Sequence, residues 1–378
     1  CRRACCACCR TTRSCAWLLP RPQETEEVHF GGTVRTKWDG GQLMVVHEDY
    51  TRVLAVPCDM EIAGYKTDHV NTLRLWQARS PKPVDMQLFS RGQYLQASEE
   101  RTMADAISKV LYPEDNHYEG KSLRLKQQYF FVSATIQSIT RKHLEVYGTL
   151  RNFHEKNVIQ INDTHPTLVI PELMRIFMDD AGMGWDEAWE ITKNSVAYTN
   201  HTVLAEALEC WPESLVQELM PRVMQIIHEI NERFCKELWN YFPNDFQKIS
   251  KLAIVADDTV RMAHLAIAAG HSVNGVARLH TEILKKQELK DFYEMMPEKF
   301  NNKTNGITQR RFLLHGNPLL AKWVTAHVGD EWITDLPKIK ELTLYVDDEK
   351  AQHEFMNIKY QNKVRLAKRD TKGVKPRI

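Results

Sequence analysis

The sequence predicts an α/β protein with irregular insertions. Short β-branched runs near the beginning are typical of paired strands. From about residue 163 onward, apolar residues recur at the intervals of amphipathic helices. Three polar segments lie among the apolar sequence, and one of them directly follows a predicted strand. Strands and helices are mixed without a strictly repeated βαβ pattern early in the chain, and this favours an α/β fold with insertions.

Composition sets limits on the function. The chain has 378 residues, of which 43% are apolar, and its net charge is +1. The near-neutral charge gives no electrostatic reason to expect nucleic acid or an anionic membrane as a partner. The longest apolar runs, such as residues 260–269, contain Arg261 and His264 and are shorter than the ~20 residues of a membrane span. We expect a soluble, cytoplasmic protein with neither partner.

The cysteines are concentrated at one end. Six of the nine lie within residues 1–15, and the other three are scattered. A disulfide framework would distribute them through the domain, so the folded part is expected to be reduced. We interpret residues 1–22 as an atypical leader, most simply a non-native extension, because the chain begins at Cys1. A metal-binding or palmitoylated leader is the alternative, although the paired spacing of a zinc site is missing.

The first third of the chain predicts strands followed by helices. Residues 43–47 and 53–56 are β-branched runs consistent with paired strands. Residues 71–77 alternate apolar and polar side chains, as a half-buried strand does. Residues 103–111 and 129–139 carry apolar side chains at helical intervals.

The rest of the chain predicts mainly helices. Asp163 or Thr164 is expected to cap a helix that ends near Gly182. Further helices are predicted over 186–194 and 216–239, the second with Pro221 near its start, and strands over 195–198 and 252–256. The basic segment 360–378 is interpreted as a solvated face or frayed end.

Three polar segments are the candidate functional features. They are residues 162–166 (Asn-Asp-Thr-His-Pro), 198–202 (Tyr-Thr-Asn-His-Thr) and 303–308 (Lys-Thr-Asn-Gly-Ile-Thr). Their amides, hydroxyls and imidazoles suit the recognition of sugar hydroxyls. Each has a purely structural alternative: a helix cap at Asp163, a turn at His201, and a hairpin turn at Asn305 and Gly306. The sequence contains no zincin, P-loop, dinucleotide-binding or nucleophile-elbow pattern.

These segments, taken in order, closely resemble those of the glycogen (α-1,4-glucan) phosphorylases. The similarity extends to residues 110–116 (Val-Leu-Tyr-Pro-Glu-Asp-Asn) and 273–280 (Val-Asn-Gly-Val-Ala-Arg-Leu-His). It covers about residue 27 to about residue 368. The resemblance implies a large portion of the N-terminal phosphorylase domain, which is glycosyltransferase-B-like and Rossmann-related, over 23–301. The start of the second domain would occupy 302–378.

The resemblance also implies an activity and a set of site residues. Family members transfer a terminal α-1,4-glucosyl unit of a glucan to orthophosphate and release glucose 1-phosphate. Residues 113–117 resemble the mobile gate loop that contacts the glucose. A sugar-nucleotide glycosyltransferase of the same fold group is a weaker alternative. The implied catalytic residues are His201, Asn305 and Asp163, and the implied substrate-binding residues are Asn116, Thr202, Asp115 and His165.

Cofactor and assembly are implied in the same way. Family members carry pyridoxal phosphate on a lysine in a glycine-rich segment, and no such segment occurs in this sequence. We therefore expect this polypeptide alone to be inactive, with a non-catalytic glucan-binding or dimerising remnant as the alternative. Tyr94–Lys109 resembles the helix of the homodimer contact. If the second domain is incomplete, Leu313, Leu314, Leu319, Leu320 and Trp323 are expected to lack packing partners.

Overall fold

The computed structural model describes residues 18–39 and 42–370. The chain divides into two compact units. The first extends to Thr304, apart from Tyr65–Thr67, and the second comprises those three residues and the chain from Asn305 onward. Residues 1–17 of the predicted leader and residues 371–378 of the predicted basic end lie outside the described residues. The predicted domain boundaries stay predictions.

The first unit begins with antiparallel strands. Strand β5 pairs with β1, β2 and β6, and a separate ribbon joins β3 to β4. These strands include the segments predicted at 43–47, 53–56 and 71–77, so those predictions are confirmed. The strands are β1 (Leu19–Pro20), β2 (Glu26–Phe30), β3 (Thr33–Asp39), β4 (Gln42–Glu48), β5 (Thr51–Ala63) and β6 (Val70–Arg79).

Three helices follow the antiparallel strands: α1 (Met86–Ser90), α2 (Tyr94–Lys109) and α3 (Tyr118–Tyr147). Helix α3 buries Leu125, Phe130 and Ile136 in the main core. It ends where Gly148 adopts a positive φ of 71°, a conformation that glycine takes without steric penalty. The helices predicted within 103–111 and 129–139 are thereby confirmed in type, and both are longer than predicted.

The second half of the first unit contains a parallel sheet with helices around it. The sheet has the order β13-β12-β8-β7, and all of its neighbouring strands are parallel. A small antiparallel sheet, in the order β10-β11-β9, lies between β8 and β12 in the sequence. The strands are β7 (Ile159–Asn162), β8 (Val196–Thr199), β9 (Cys210–Pro212), β10 (Val255–Ala256), β11 (Thr259–Arg261), β12 (Val273–Gly275) and β13 (Phe300–Asn302).

The helices of this half carry much of the main core, which includes Leu173, Ile227 and Leu265. Two π-helical turns, Ile176–Asp180 and Leu284–Glu288, extend α5 and α11. The helices are α4 (Phe153–Lys156), α5 (Val169–Arg175), α6 (Trp185–Ser195), α7 (Glu213–Leu219), α8 (Pro221–Tyr241), α9 (Phe246–Leu252), α10 (Met262–Ala269), α11 (Arg278–Ile283) and α12 (Lys290–Met295).

Two helix predictions need correction. The segment 216–239 forms two helices, because Met220 leaves the helical conformation (φ −146°) and Pro221 begins α8. The helix predicted from Asp163 or Thr164 begins at Val169 instead. The strand predicted over 252–256 is reduced to Val255–Ala256, since Leu252 still belongs to α9.

The second unit is helical and has a small core of its own. It contains α13 (Pro318–Val328), α14 (Glu349–Asp370), the π-helical turn Arg310–His315 and the 3₁₀ turns Glu331–Ile333 and Leu336–Tyr345. The residues buried in this core are Ala321, Val324, Trp332 and Ile333. Leu313, Leu314, Leu320 and Trp323 pack against them, so the expectation that these four lack partners is wrong. Residues 360–370, predicted to be frayed or solvated, belong to α14.

Two kinds of feature are absent from the described residues. No helix there is both long and apolar enough to cross a bilayer. No group of three or more His, Cys, Asp or Glu side chains there is placed to hold a metal ion.

Candidate active site

Two predicted polar segments meet at one edge of the parallel sheet. Because its strands are parallel, their carboxyl ends lie at the same edge, where α/β proteins bind ligands. Asn162, the last residue of β7, pairs in register with Thr199, the last residue of β8. The segments 162–166 and 198–202 therefore leave the sheet side by side.

His201 contacts the end of the neighbouring strand. Its Nε2 lies 2.6 Å from Oδ1 of Asn162. The amide oxygen can only accept, so Nε2–H donates and a neutral ring keeps Nδ1 as an acceptor. Both residues are exposed. The contact thus presents an oriented imidazole at the edge of the sheet, a group that can accept a hydrogen bond from a ligand hydroxyl.

Asp163 turns the chain away from β7. It has a positive φ of 61°, and its amide donates to the carbonyl of Thr199 (3.0 Å). Its Oδ1 accepts from the amide of Thr164 at 2.8 Å. This side-chain bond stabilises a turn, a common role for aspartate in the left-handed region. Asp163 therefore shapes the loop and does not cap the helix that begins at Val169.

Asn200 points into the protein although it belongs to a polar segment. Its side chain is fully buried and donates to the hydroxyl of Tyr198 at 3.1 Å. His280 of α11 accepts from the amide of Val276 at Nδ1, so its Nε2–H donates to Oδ1 of Asn200 at 3.2 Å. Burial lowers the pKa of His280, which favours this neutral form. The network fixes the backbone from which His201 projects.

A cleft of about 600 Å³ lies beside these loops, and several predicted residues line it. Asp163 and His165 come from the loop after β7, Thr202 from the loop after β8, and Asp115 from the predicted gate loop. The structure therefore brings together four of the residues predicted from the sequence. The lining also contains Glu209, to which the sequence analysis assigned no role.

Three predicted residues are placed differently. His201 is adjacent to Thr202 but does not line the cleft. Asn116 is exposed, and its amide donates to Oε1 of Glu114 at 2.6 Å within the same loop. Asn305 is an exposed residue of the second unit, and it lies in a loop instead of a hairpin.

Glu209 joins three parts of the first unit. Its carboxylate accepts from Gln128 of α3 at 2.6 Å and from the hydroxyl of Thr164 at 3.0 Å. Nδ1 of His165 lies 3.8 Å from the carboxylate, which is too far for a hydrogen bond but close enough for charge attraction. Burial alone would raise the pKa of Glu209, but these three partners outweigh it, and its pKa is lowered. No local sequence signal could reveal this residue, because its hydrogen-bond partners lie 45 and 81 positions away.

His165 lies between opposite charges. The Glu209 carboxylate raises its pKa, against the effects of burial and of Arg124. Arg124 lies 3.3 Å from Nδ1 of His165, where it can donate only when that nitrogen is deprotonated. The guanidinium also stacks on Tyr112, 4.2 Å from the ring centroid. Arg124 therefore links the imidazole to the beginning of the gate loop.

Trp211 forms part of the wall of the cleft. Its side chain is buried and lines the cavity, and its Nε1–H has no partner among the described residues. A buried polar group without a partner is uncommon in folded proteins. Because Nε1 itself is buried, this donor lies within the protein wall beside the cleft and is not exposed in it.

Comparison with known proteins identifies the family. The family model for carbohydrate phosphorylases matches residues 10–376. The chain belongs to the carbohydrate phosphorylase family. The muscle form of glycogen phosphorylase is 46% identical over 362 residues in both Ovis aries and Homo sapiens, which is 93% of this chain. The brain form from Mus musculus is 44% identical over 373 residues, or 96% of this chain.

The chain spans 42–44% of the length of these curated relatives. Its mixed α/β architecture, with a parallel sheet and surrounding helices, agrees with the N-terminal phosphorylase domain of a glycosyltransferase-B-like fold. The predictions of family and fold class are confirmed.

Proposed function

We propose that the whole phosphorylase transfers terminal α-1,4-linked glucosyl units of glycogen, starch or maltodextrin to orthophosphate and releases glucose 1-phosphate. The observation that carries the proposal is the polar cleft at the carboxyl edge of the parallel sheet. This cleft occurs in a chain that is 46% identical to muscle glycogen phosphorylases. We expect the whole protein to be cytoplasmic and homodimeric, with α2 in the dimer contact.

The side chains of the cleft suit a sugar. Each hydroxyl of a pyranose both donates and accepts, so a binding site needs both kinds of partner. Asp163 and Glu209 supply acceptors, whereas Thr202 and Arg124 supply donors. Bond cleavage at the anomeric carbon develops positive charge, which carboxylates and oriented dipoles stabilise. The residue types therefore fit glucosyl transfer as well as glucose binding.

The proposed roles come from the resemblance to the phosphorylases, and four of the residues concerned line the cleft. We assign transition-state stabilisation to His201, Asn305 and Asp163, and substrate binding to Asn116, Thr202, Asp115 and His165. Glu209 positions His165 and Thr164, because it contacts both of them. Nδ1 of His201 would accept from a sugar hydroxyl, since Nε2–H is already used by Asn162.

Pyridoxal phosphate is proposed for the whole protein. When bound, it supplies a phosphate group for acid–base chemistry on the substrate phosphate. Its covalent attachment needs a lysine amine. Lys121 is the one lysine among the described residues that line the cleft. It lies on the first turn of α3, and its side chain is exposed. These residues do not fit the cofactor, and the roles assigned above do not depend on it.

Glucan binding by the 378-residue chain tests the proposal. We expect maltoheptaose to bind in isothermal titration calorimetry, and His201→Ala to weaken binding about tenfold, because a hydrogen-bond partner of the sugar is removed. His271→Ala is the matched control. His271 is an exposed histidine that precedes β12, at the amino edge of the same sheet. Absence of binding to the folded chain, or equal losses in both variants, would contradict the assignment.

A further inference from the structure

A second and larger cavity lies away from the cleft. Its volume is about 850 Å³, within the ~300–1,000 Å³ range of small-molecule sites. It is bounded by α2, the first turns of α3, the ends of β2 and β5, and the junction of α7 and α8. It shares no lining residue with the cleft of the proposed active site. It is therefore a separate candidate site.

The floor of this cavity is apolar. Phe30, Val53, Ile107 and Leu219 line it and are at most 6% exposed. Met103 also lines it and is 62% exposed, which places a flexible apolar side chain at the opening. Burial of an aliphatic chain here would gain the hydrophobic free energy of roughly 0.8 kcal/mol per methylene.

Most charges around the cavity already have partners or are well solvated. Glu100 pairs with Lys82 at 3.2 Å. Glu218 accepts from the hydroxyl of Tyr118 at 2.6 Å. Glu119 is 82% exposed at its side chain and hence solvated. The charges of these carboxylates are therefore already compensated by partners or by water, without a cationic ligand.

The two cations of the lining differ from each other. Arg52 lies 3.7 Å from Glu27, within ion-pair distance. Lys126 of α3 lines the cavity and is half-buried, and no carboxylate of the described residues lies within 4.0 Å of its amine. A lysine of this kind covers apolar surface with its methylene stem and leaves its ammonium group at the rim. Lys126 can therefore anchor an anionic group whose apolar part fills the floor.

We propose that this cavity binds a medium-chain fatty carboxylate, with its aliphatic tail on the apolar floor and its carboxylate on Lys126. The charge complementarity of Lys126 and the depth of the apolar floor carry this assignment. It does not depend on the proposed function. The site lies at the first turns of α3, directly after the predicted gate loop, so an occupant would contact the helix to which that loop leads.

Calorimetric titration of the 378-residue chain with dodecanoate tests the proposal, and dodecanol serves as the uncharged counterpart. Dodecanoate is expected to bind at least fivefold more tightly than dodecanol. Lys126→Gln should remove this difference by weakening dodecanoate and leaving dodecanol unchanged. Lys109→Gln is the matched control, because Lys109 lies on α2, pairs with Asp105 and does not line the cavity. Ile107→Trp should weaken both ligands by filling the floor.

Other results would overturn the site. These are no binding of dodecanoate to the folded wild-type chain, equal affinities for the two ligands, or an unchanged dodecanoate affinity in Lys126→Gln. If a second copy of the chain occupies the cavity instead, sedimentation will show a dimer that binds no dodecanoate, and this outcome excludes the fatty carboxylate as the occupant.

Discussion

Glu209 shows how one buried carboxylate arranges the loops of the cleft. The side chain is 17% exposed and is shared by Gln128, Thr164 and His165. The lowered pKa of Glu209 means that its stabilising contribution is present above its unfolded pKa and lost as pH falls through the folded value. The raised pKa of His165 means that its contribution is present below its unfolded pKa and lost as pH rises through the folded value. The pair is therefore most favourable in mildly acidic solution.

We predict that Glu209→Gln lowers the pKa of His165. The glutamine keeps a hydrogen-bonding side chain of similar size but removes the negative charge that favours the imidazolium. Histidine nitrogen chemical shifts, measured by NMR as a function of pH, would give the titration curve. A role of Glu209 in packing alone would leave the pKa of His165 where it is.

Arg124→Gln is a control that should change the pKa of His165 in the opposite direction. Arg124 lowers the pKa of His165, so its removal should raise that pKa. A shift of the same sign in both variants would contradict the arrangement of charges described for the cleft.

Part of the site follows from the sequence and part does not. Thr202 was predicted because polar residues directly followed an apolar, strand-like run, whereas Asp163 and His165 were predicted from the resemblance to the phosphorylases. Asn200 belongs to the same run, but it is buried through its bonds to Tyr198 and to His280, 80 positions away. A linear pattern shows that a polar residue ends a strand. It does not show whether the side chain faces a ligand or the core, since distant partners decide this.

At the scale of elements, α10 contains a partly buried histidine with a structural role. Nδ1–H of His264 donates to the carbonyl of Ala253 at 3.1 Å, and the ring packs edge-on against Phe292 with 4.9 Å between centroids. Burial lowers the pKa of His264 to about 4, against a reference value of 6.5. The neutral ring therefore ties α10 to the end of α9 and to α12.

We predict that His264 makes the first unit sensitive to acid. A histidine with a lowered pKa contributes stability above its unfolded pKa, and this stability is lost as pH falls from about 6.5 towards 4. The loss amounts to ~3 kcal/mol by pH 4. His264→Gln should flatten the dependence of the urea midpoint on pH between 7 and 4, as measured by far-ultraviolet circular dichroism. His271→Gln should leave it unchanged, and a slope equal to wild type in His264→Gln would contradict the prediction.

The limits of the helices were less predictable than their existence. The apolar stripe of residues 216–239 is continuous in the sequence, yet Met220 interrupts it because Pro221 lacks an amide hydrogen and restricts the residue before it. The π-helical turns after α5 and α11 were not predicted from the sequence either. A single inserted residue in a helix changes the apolar period too little to be recognised in one sequence.

At the scale of the whole molecule, the two units differ in the size of their cores. The first unit contains an extensive cluster of buried apolar residues from both of its halves. In the second unit, the described core consists of Ala321, Val324, Trp332 and Ile333 with partly buried neighbours. Stability of a domain grows with the apolar surface it buries, so the second unit is expected to open more readily.

We predict that Trp332 determines the stability of the second unit. Its side chain is fully buried, and its Nε1–H donates to the hydroxyl of Thr325 at 3.1 Å. Trp332→Ala should lower the free energy of unfolding of the second unit by about 3–5 kcal/mol, because it removes a large side chain and leaves a cavity. Hydrogen exchange should show that the amides of α13 lose protection while those of α3 keep it.

Trp332→Phe separates packing from the hydrogen bond, since it keeps an aromatic ring but removes the donor. A loss of about 1 kcal/mol is expected for this variant. If Trp332→Ala left the protection of α13 intact, these buried residues would not be the core that holds the second unit together. Equal losses of amide protection in α3 and α13 would instead show that the two units unfold together, in disagreement with their separate cores.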